Sequence, residues 1–184
     1  DSTGAAMFHA NVGVDGAEIS AIDSNTLSGR VEVNTNGLAL VPGFIDIHTH
    51  YDAQVTWDNT LTPSPQMGVT MVVIGNCGFG SAPCRKEHRN LTLKNLTKVE
   101  GMPLEALLKG VRWNFESFGE YLSAIESEGI APNVAAYVGH WCIRTYVMGE
   151  NATRREASSA EIVEMQSLFS QALQDGVIGV GTST

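Results

Sequence analysis

Two histidines stand one residue apart in VPGFIDIHTHYDAQ, residues 41–54, directly after an apolar run. In an extended strand alternate side chains share a face, roughly 6.5 Å apart. His48 and His50 are therefore expected to leave a strand end in one direction, with Thr49 leaving in the other. Two imidazoles converging at the carboxyl end of a strand suit a divalent metal ion. A pair of hydrogen-bonded loop histidines is the plainer alternative. The second reactive residue is Cys77, in GNCGFGSAPCR, where the run TMVVIG ends. A cysteine between glycines can be a small packing residue. Beside an HxH pair from a neighbouring strand it becomes a candidate thiolate ligand.

Three further residues are candidates around this set. Asp52 completes an HxHxD pattern and could orient a ligand histidine through its carboxylate, the alternative being a hydrogen bond at a loop start. Asn76 could hold the turn beside Cys77 through its amide. His140, in VGHW, follows a third apolar run and is a candidate on the substrate side, with a satisfied rim histidine as the alternative. Glycines 75, 78 and 80 lack the lysine of a phosphate-binding loop and the G-x-G-x-x-G spacing, so nucleotide binding has weak support.

The elements that must position these residues change character at Pro42. Before it, HANVGV, AEISAI, RVEV and LALV read as four short β segments separated by Asp-Gly, Ser-Gly and Asn-Gly. After it, GFIDI, TMVVIG, NVAAYVG and VIGVG are continuous apolar runs suited to strands buried on both faces of a parallel sheet. Ser117 with Glu120, and Ser158 with Glu161, are capping boxes that open helices. Phe118, Tyr121, Leu122 and Ile125 form one apolar stripe, ending at Gly129; Ile162, Met165, Phe169, Ala172 and Leu173 form another, ending at Gly176. A weaker helix is expected from about residue 104 to 109. The order β-α-β-α-β-α-β is that of an α/β fold, either a doubly wound sheet or half of a (β/α)₈ barrel. Chemically capable residues following successive strand ends favour the barrel, whose active sites lie on that face.

Composition narrows the partners. The 184 residues carry 11 Lys plus Arg against 20 Asp plus Glu, a net charge of -9, and the one basic cluster, residues 85–89, is interrupted by Glu87. That argues against nucleic acid. There is no apolar run of the roughly 18–20 residues that a membrane helix needs, and no signal-peptide pattern. Three cysteines, an odd and sparse set, fit a reducing, cytoplasmic setting. Neither end reads as a natural terminus, so the segment is expected to be part of a longer protein.

PGFIDIHTHYDAQ, GNCGFGSAPCR, VEGMP, ESFGEYL and RTYVMGE together resemble the N-acyl-D-amino-acid deacylase (D-aminoacylase) branch of the amidohydrolase superfamily, over nearly the whole chain. The HxH motif is general to that superfamily, whereas the glycine-flanked cysteine is particular to this branch. The resemblance implies that residues 1–41 are part of a small β-sandwich. It implies that residues 42–184 are the first four β/α units of a metal-dependent TIM barrel. His48 and His50 match ligands of a weakly held metal, and Cys77 matches the thiolate ligand of a tightly held zinc. Two further histidine ligands and a catalytic, general-base Asp are expected beyond residue 184, so no catalytic residue is identifiable within the segment. The implied reaction is zinc-dependent hydrolysis of a small-molecule N-acyl-D-amino acid to a carboxylate and a D-amino acid. Amidohydrolase action on cyclic amides, or a metal-free structural relative, are the alternatives.

Overall fold

Gly43 marks where the larger of two compact units begins, and the need for glycine there is steric. A Cβ at this position would lie 2.1 Å from the Thr70 side chain. The computed structural model describes residues 4–183. Its chain divides into residues 1–42 and 43–184.

In the smaller unit, β1 (Asn11–Asp15) and β2 (Glu18–Asp23) form an antiparallel hairpin. The turn is Gly16-Ala17, Gly16 taking a positive φ of 60°, and a register shift falls between Gly13 and Val14. The other two expected β segments are not strands. Residues 31–33 and 38–41 have strand-like composition, and the Asn36-Gly37 turn closes with a 2.9 Å bond from Leu38 N to Thr35 O. A strand exists only through a ladder with a neighbour. Among the described residues these segments have none, and Val31, Val33, Leu38 and Leu40 are exposed.

In the larger unit, β3 (Phe44–Asp46), β4 (Val69–Ile74), β5 (Asn133–Gly139) and β6 (Gly179–Gly181) form a parallel sheet in chain order. All four coincide with the expected apolar runs, and the class is α/β. The first crossover departs from the expected alternation, because 3₁₀ turns at Gln54–Thr56 and Ser64–Met67 replace a helix between β3 and β4. Pro63 and Pro65 explain this: each removes an N–H donor and biases the preceding residue away from helix. Val55 and Leu61 from that irregular segment still cover the sheet.

The second crossover holds α1 (Arg89–Leu96), α2 (Leu104–Gly110) and α3 (Phe118–Glu128); the third holds α4 (His140–Met148) and α5 (Ser159–Asp175). Both capping boxes form, with Glu120 N donating to Ser117 Oγ at 3.2 Å and Glu161 N to Ser158 Oγ at 3.3 Å. Helices α1 and α4 were not expected. Neither has a side-chain cap, and α4 starts at His140, directly after the last residue of β5 with no loop between. The α5 stripe is narrower than its sequence suggests. Met165, Leu168, Phe169 and Ala172 pack on the core while Ile162 and Leu173 stay exposed. The main core joins Val72, Ile74, Ala136 and Val138 of the sheet to Phe118, Tyr121 and Ile125 of α3.

Candidate metal centre

His48 and His50 lie just beyond the last residue of β3, and Thr49 fixes how they emerge. Its N–H donates to Val73 O at 3.0 Å and its Oγ1 to the same oxygen at 2.9 Å. Thr49 is thereby buried against β4, and the two imidazoles are left side by side with ring centroids 5.4 Å apart.

Cys77 sits three residues past Ile74, on a turn closed by Gly78 N donating to Gly75 O at 3.1 Å. Two glycines let this turn press against its neighbours. Both have φ near 80°, and a Cβ at Gly75 would fall 2.1 Å from Tyr137 O, one at Gly78 2.9 Å from Thr182 Cα. Gly78 O accepts a 2.9 Å hydrogen bond from Trp141 N. The turn is thus clamped between the end of β5 and the segment after β6. Asn76 holds it from a third side, its Nδ2 donating to Ile47 O.

These anchors bring the three expected donors together. One ligand atom each from His48, His50 and Cys77 lies within 4.8 Å of the others, and Cys77 Sγ is 3.9 Å from His50 Nδ1. Donors on neighbouring corners of a tetrahedral zinc site lie about 3.5 Å apart, given Zn–N near 2.1 Å and Zn–S near 2.3 Å. The set therefore fits a metal after sub-ångström to ångström adjustment. The electrostatics agree. Burial, then the neighbouring His48, lowers the His50 pKa, which keeps its lone pair available. Burial pushes the Cys77 thiol up, and the charges of Asp52 and Glu100 add to that, against hydrogen bonds from the Phe79 and Cys77 N–H groups. No protein cation figures among those influences, so a thiolate here calls for a bound one.

Asp52 is placed differently from expectation. It is buried beside the trio, yet forms no hydrogen bond with His48 or His50. Its carboxylate accepts from the N–H of Gly75 and from its own, and burial raises its pKa to about 7. Its side chain is turned toward the glycine loop, where a Cβ on Gly80 would come within 3.0 Å of Oδ1. Its carbonyl oxygen accepts from Ser81 Oγ and Tyr121 Oη, both at 2.8 Å. His140 is the first residue of α4 and is not one of the three converging donors. Glu100 went unrecognised as a neighbour of the centre. Both its oxygens are buried with no side-chain hydrogen-bond partner, and burial followed by the Asp52 charge raises its pKa to about 8, partly offset by the Ala53 N–H. Its position in VEGMP was the available signal, since a carboxylate flanked by Val99 and Gly101-Met102-Pro103 has no polar neighbour in that stretch.

The Amidohydrolase family profile matches residues 31–184. A D-aminoacylase of Alcaligenes xylosoxydans xylosoxydans is 37% identical over 174 residues, covering 94% of this chain and 33% of the relative. The crystal structure of a D-aminoacylase described as defining a novel subset of amidohydrolases superposes with a TM-score of 0.79 at 38% identity, over 98% of this chain and 35% of that one. The N-acyl-D-glutamate deacylase of Bordetella bronchiseptica, solved with zinc and a phosphonate mimic of the tetrahedral intermediate, superposes with a TM-score of 0.71 at 28% identity, over 98% and 35% of the two chains. The chain thus spans about a third of the length of the relatives it matches. With a family match over most of its residues and an HxH pair meeting a glycine-flanked cysteine at the carboxyl ends of parallel strands, the chain belongs to the amidohydrolase family.

Proposed function

We propose that the full-length protein hydrolyses the amide bond of N-acyl-D-amino acids with a divalent metal, zinc being the ion that the donors suit best. The observation that carries this reading is the convergence of His48, His50 and Cys77 within 4.8 Å. Two imidazoles and a thiolate are a borderline-soft set, which favours zinc over magnesium or calcium. A zinc ion held there would supply Lewis-acid polarisation of an acyl carbonyl and allow a hydroxide nucleophile near neutral pH. The zinc and tetrahedral-intermediate mimic in the N-acyl-D-glutamate deacylase support the same chemistry.

This chain's own contribution is positional. Thr49 sets the direction of both histidines, Asn76 and the clamped glycine turn hold Cys77 against them, and buried Asp52 anchors the loop below. In this reading residues 42–184 are the first four β/α units of a TIM barrel, and residues 1–41 belong to a small β-sandwich. The proton for the leaving amine is assigned to an acidic residue outside this chain. The three cysteines are free thiols, in keeping with a reducing, cytoplasmic setting. The test is bound metal per chain and kcat/KM on N-acetyl-D-amino acids for the full-length protein, against cyclic amides and the L enantiomers. A protein with no bound metal, or one that cleaves only cyclic amides, overturns the proposal.

A further inference from the structure

His140 occupies an unusual position. It ends the β5 run and opens α4 with no intervening loop, on the same edge of the sheet as the Cys77 turn. Its neighbour Trp141 donates its backbone N–H to Gly78 O and stacks on Phe79, with ring centroids 5.9 Å apart. The His140 backbone is therefore fixed relative to the turn that carries Cys77. The ring packs on Trp141 at 5.8 Å, and its Nδ1 is buried with no hydrogen-bond partner.

That buried nitrogen decides where the proton sits. A buried N–H without an acceptor forfeits its hydration, whereas a bare imidazole nitrogen loses less, so the proton belongs on Nε2. The ring also resists a second proton. The amino end of α4 is the positive end of its dipole, and Arg144 lies one helical turn further on. Burial first, and Arg144 second, lower the His140 pKa.

We propose that His140 is a substrate-binding residue: a neutral imidazole whose Nε2–H donates a hydrogen bond to an oxygen of the acylamino acid, either its carboxylate or its acyl carbonyl. This rests on the functional reading above and goes beyond it, because a ring protonated on Nε2 and lying outside the converging trio acts as a donor and not as a further metal ligand. A buried nitrogen with no partner is a poor arrangement for a residue serving stability alone.

The test uses the full-length, metal-loaded protein. With ¹⁵N-labelled histidine, the His140 signals are assigned by comparison with His140→Gln. The expected pattern at pH 7 is a neutral ring protonated on Nε2; an Nδ1–H tautomer or an imidazolium overturns the proposal. In kinetics, His140→Leu is expected to lower kcat/KM about ten- to a hundredfold, the size of a lost donor to a polar or charged acceptor. Bound metal should be unchanged. His140→Gln, whose amide nitrogen reaches roughly the place of Nε2, should recover most of the loss. A rise in KM alone places the acceptor on the carboxylate, and a fall in kcat places it on the scissile carbonyl. An unchanged His140→Leu rate, metal loss in that variant, or a Gln variant no better than Leu overturns the assignment. Failure of the broader functional reading is distinct, since it leaves the wild type itself inactive on these substrates.

Discussion

The side-chain amide of Asn76 donates to the carbonyl oxygen of Ile47 at 2.5 Å, tying the turn before Cys77 to the residue before His48. The two halves of the candidate metal centre are thus joined by a bond that belongs to neither set of donors. Asn76→Ala in the full-length protein should leave the fold intact and weaken metal affinity about ten- to a hundredfold, as loss of outer support commonly does. Metal affinity from chelator competition, alongside a melting curve, checks this. Unaltered affinity would mean the glycine clamp alone holds Cys77.

The thiolate itself separates this reading from its rivals. Cys77→Ser exchanges a soft anionic donor for a hydroxyl that scarcely ionises, so bound zinc should be lost and kcat/KM should fall by orders of magnitude. His48→Asn removes one neutral donor and leaves the thiolate, so it should weaken zinc binding less than Cys77→Ser does. Cys84→Ser and Cys142→Ser should keep metal and rate, at a cost of about 1 kcal/mol in stability for placing a hydroxyl in a buried site. Zinc per chain across the four variants decides the matter.

Tyr121 anchors the loop under the centre through its hydroxyl, which donates to Asp52 O at 2.8 Å from a ring only 1% exposed. Tyr121→Phe removes the donor and keeps the ring. The expected cost is about 1–2 kcal/mol in unfolding free energy, since the Asp52 carbonyl keeps its second donor, Ser81. Denaturant melts of the full-length protein measure it.

Glu100 gives a prediction with a definite sign. Its carboxyl has an ordinary pKa of 4.5 and is raised to about 8 in the fold, so the folded state holds the proton more tightly than the unfolded chain does. The associated stability is full below pH 4.5 and is lost as pH rises through about 8. Glu100→Gln, which stays neutral, should lose less stability than the wild type between pH 6 and pH 9. Parallel melting curves with equal or steeper loss in the variant would show that the carboxyl is not held protonated.

The legible parts of this chain are those where one local rule acts alone. All four parallel strands, both capping boxes and the meeting of His48, His50 and Cys77 follow from runs, caps and spacings visible in the letters. Helix α4 escaped because β5 passes into it at Gly139 with no capping side chain and no loop, so the letters carry no helix-start signal there. The strand-like segments around Val31 and Leu40 failed for the converse reason, their propensity having no partner to act on. The expected role of Asp52 in orienting a histidine was not legible, because the direction of its carboxylate depends on Gly75, which no spacing rule connects to it.

Thr49 bears on how such centres are catalogued and engineered. Its two bonds to the Val73 oxygen need a backbone N–H and a short hydroxyl on one residue, and its burial leaves little room for anything longer. Written as HxH, the motif treats its middle letter as a wildcard. In a library randomised at position 49 and sorted for metal retention, the survivors should be enriched in threonine and serine. The information content of the motif is then three letters, with the silent one specifying orientation.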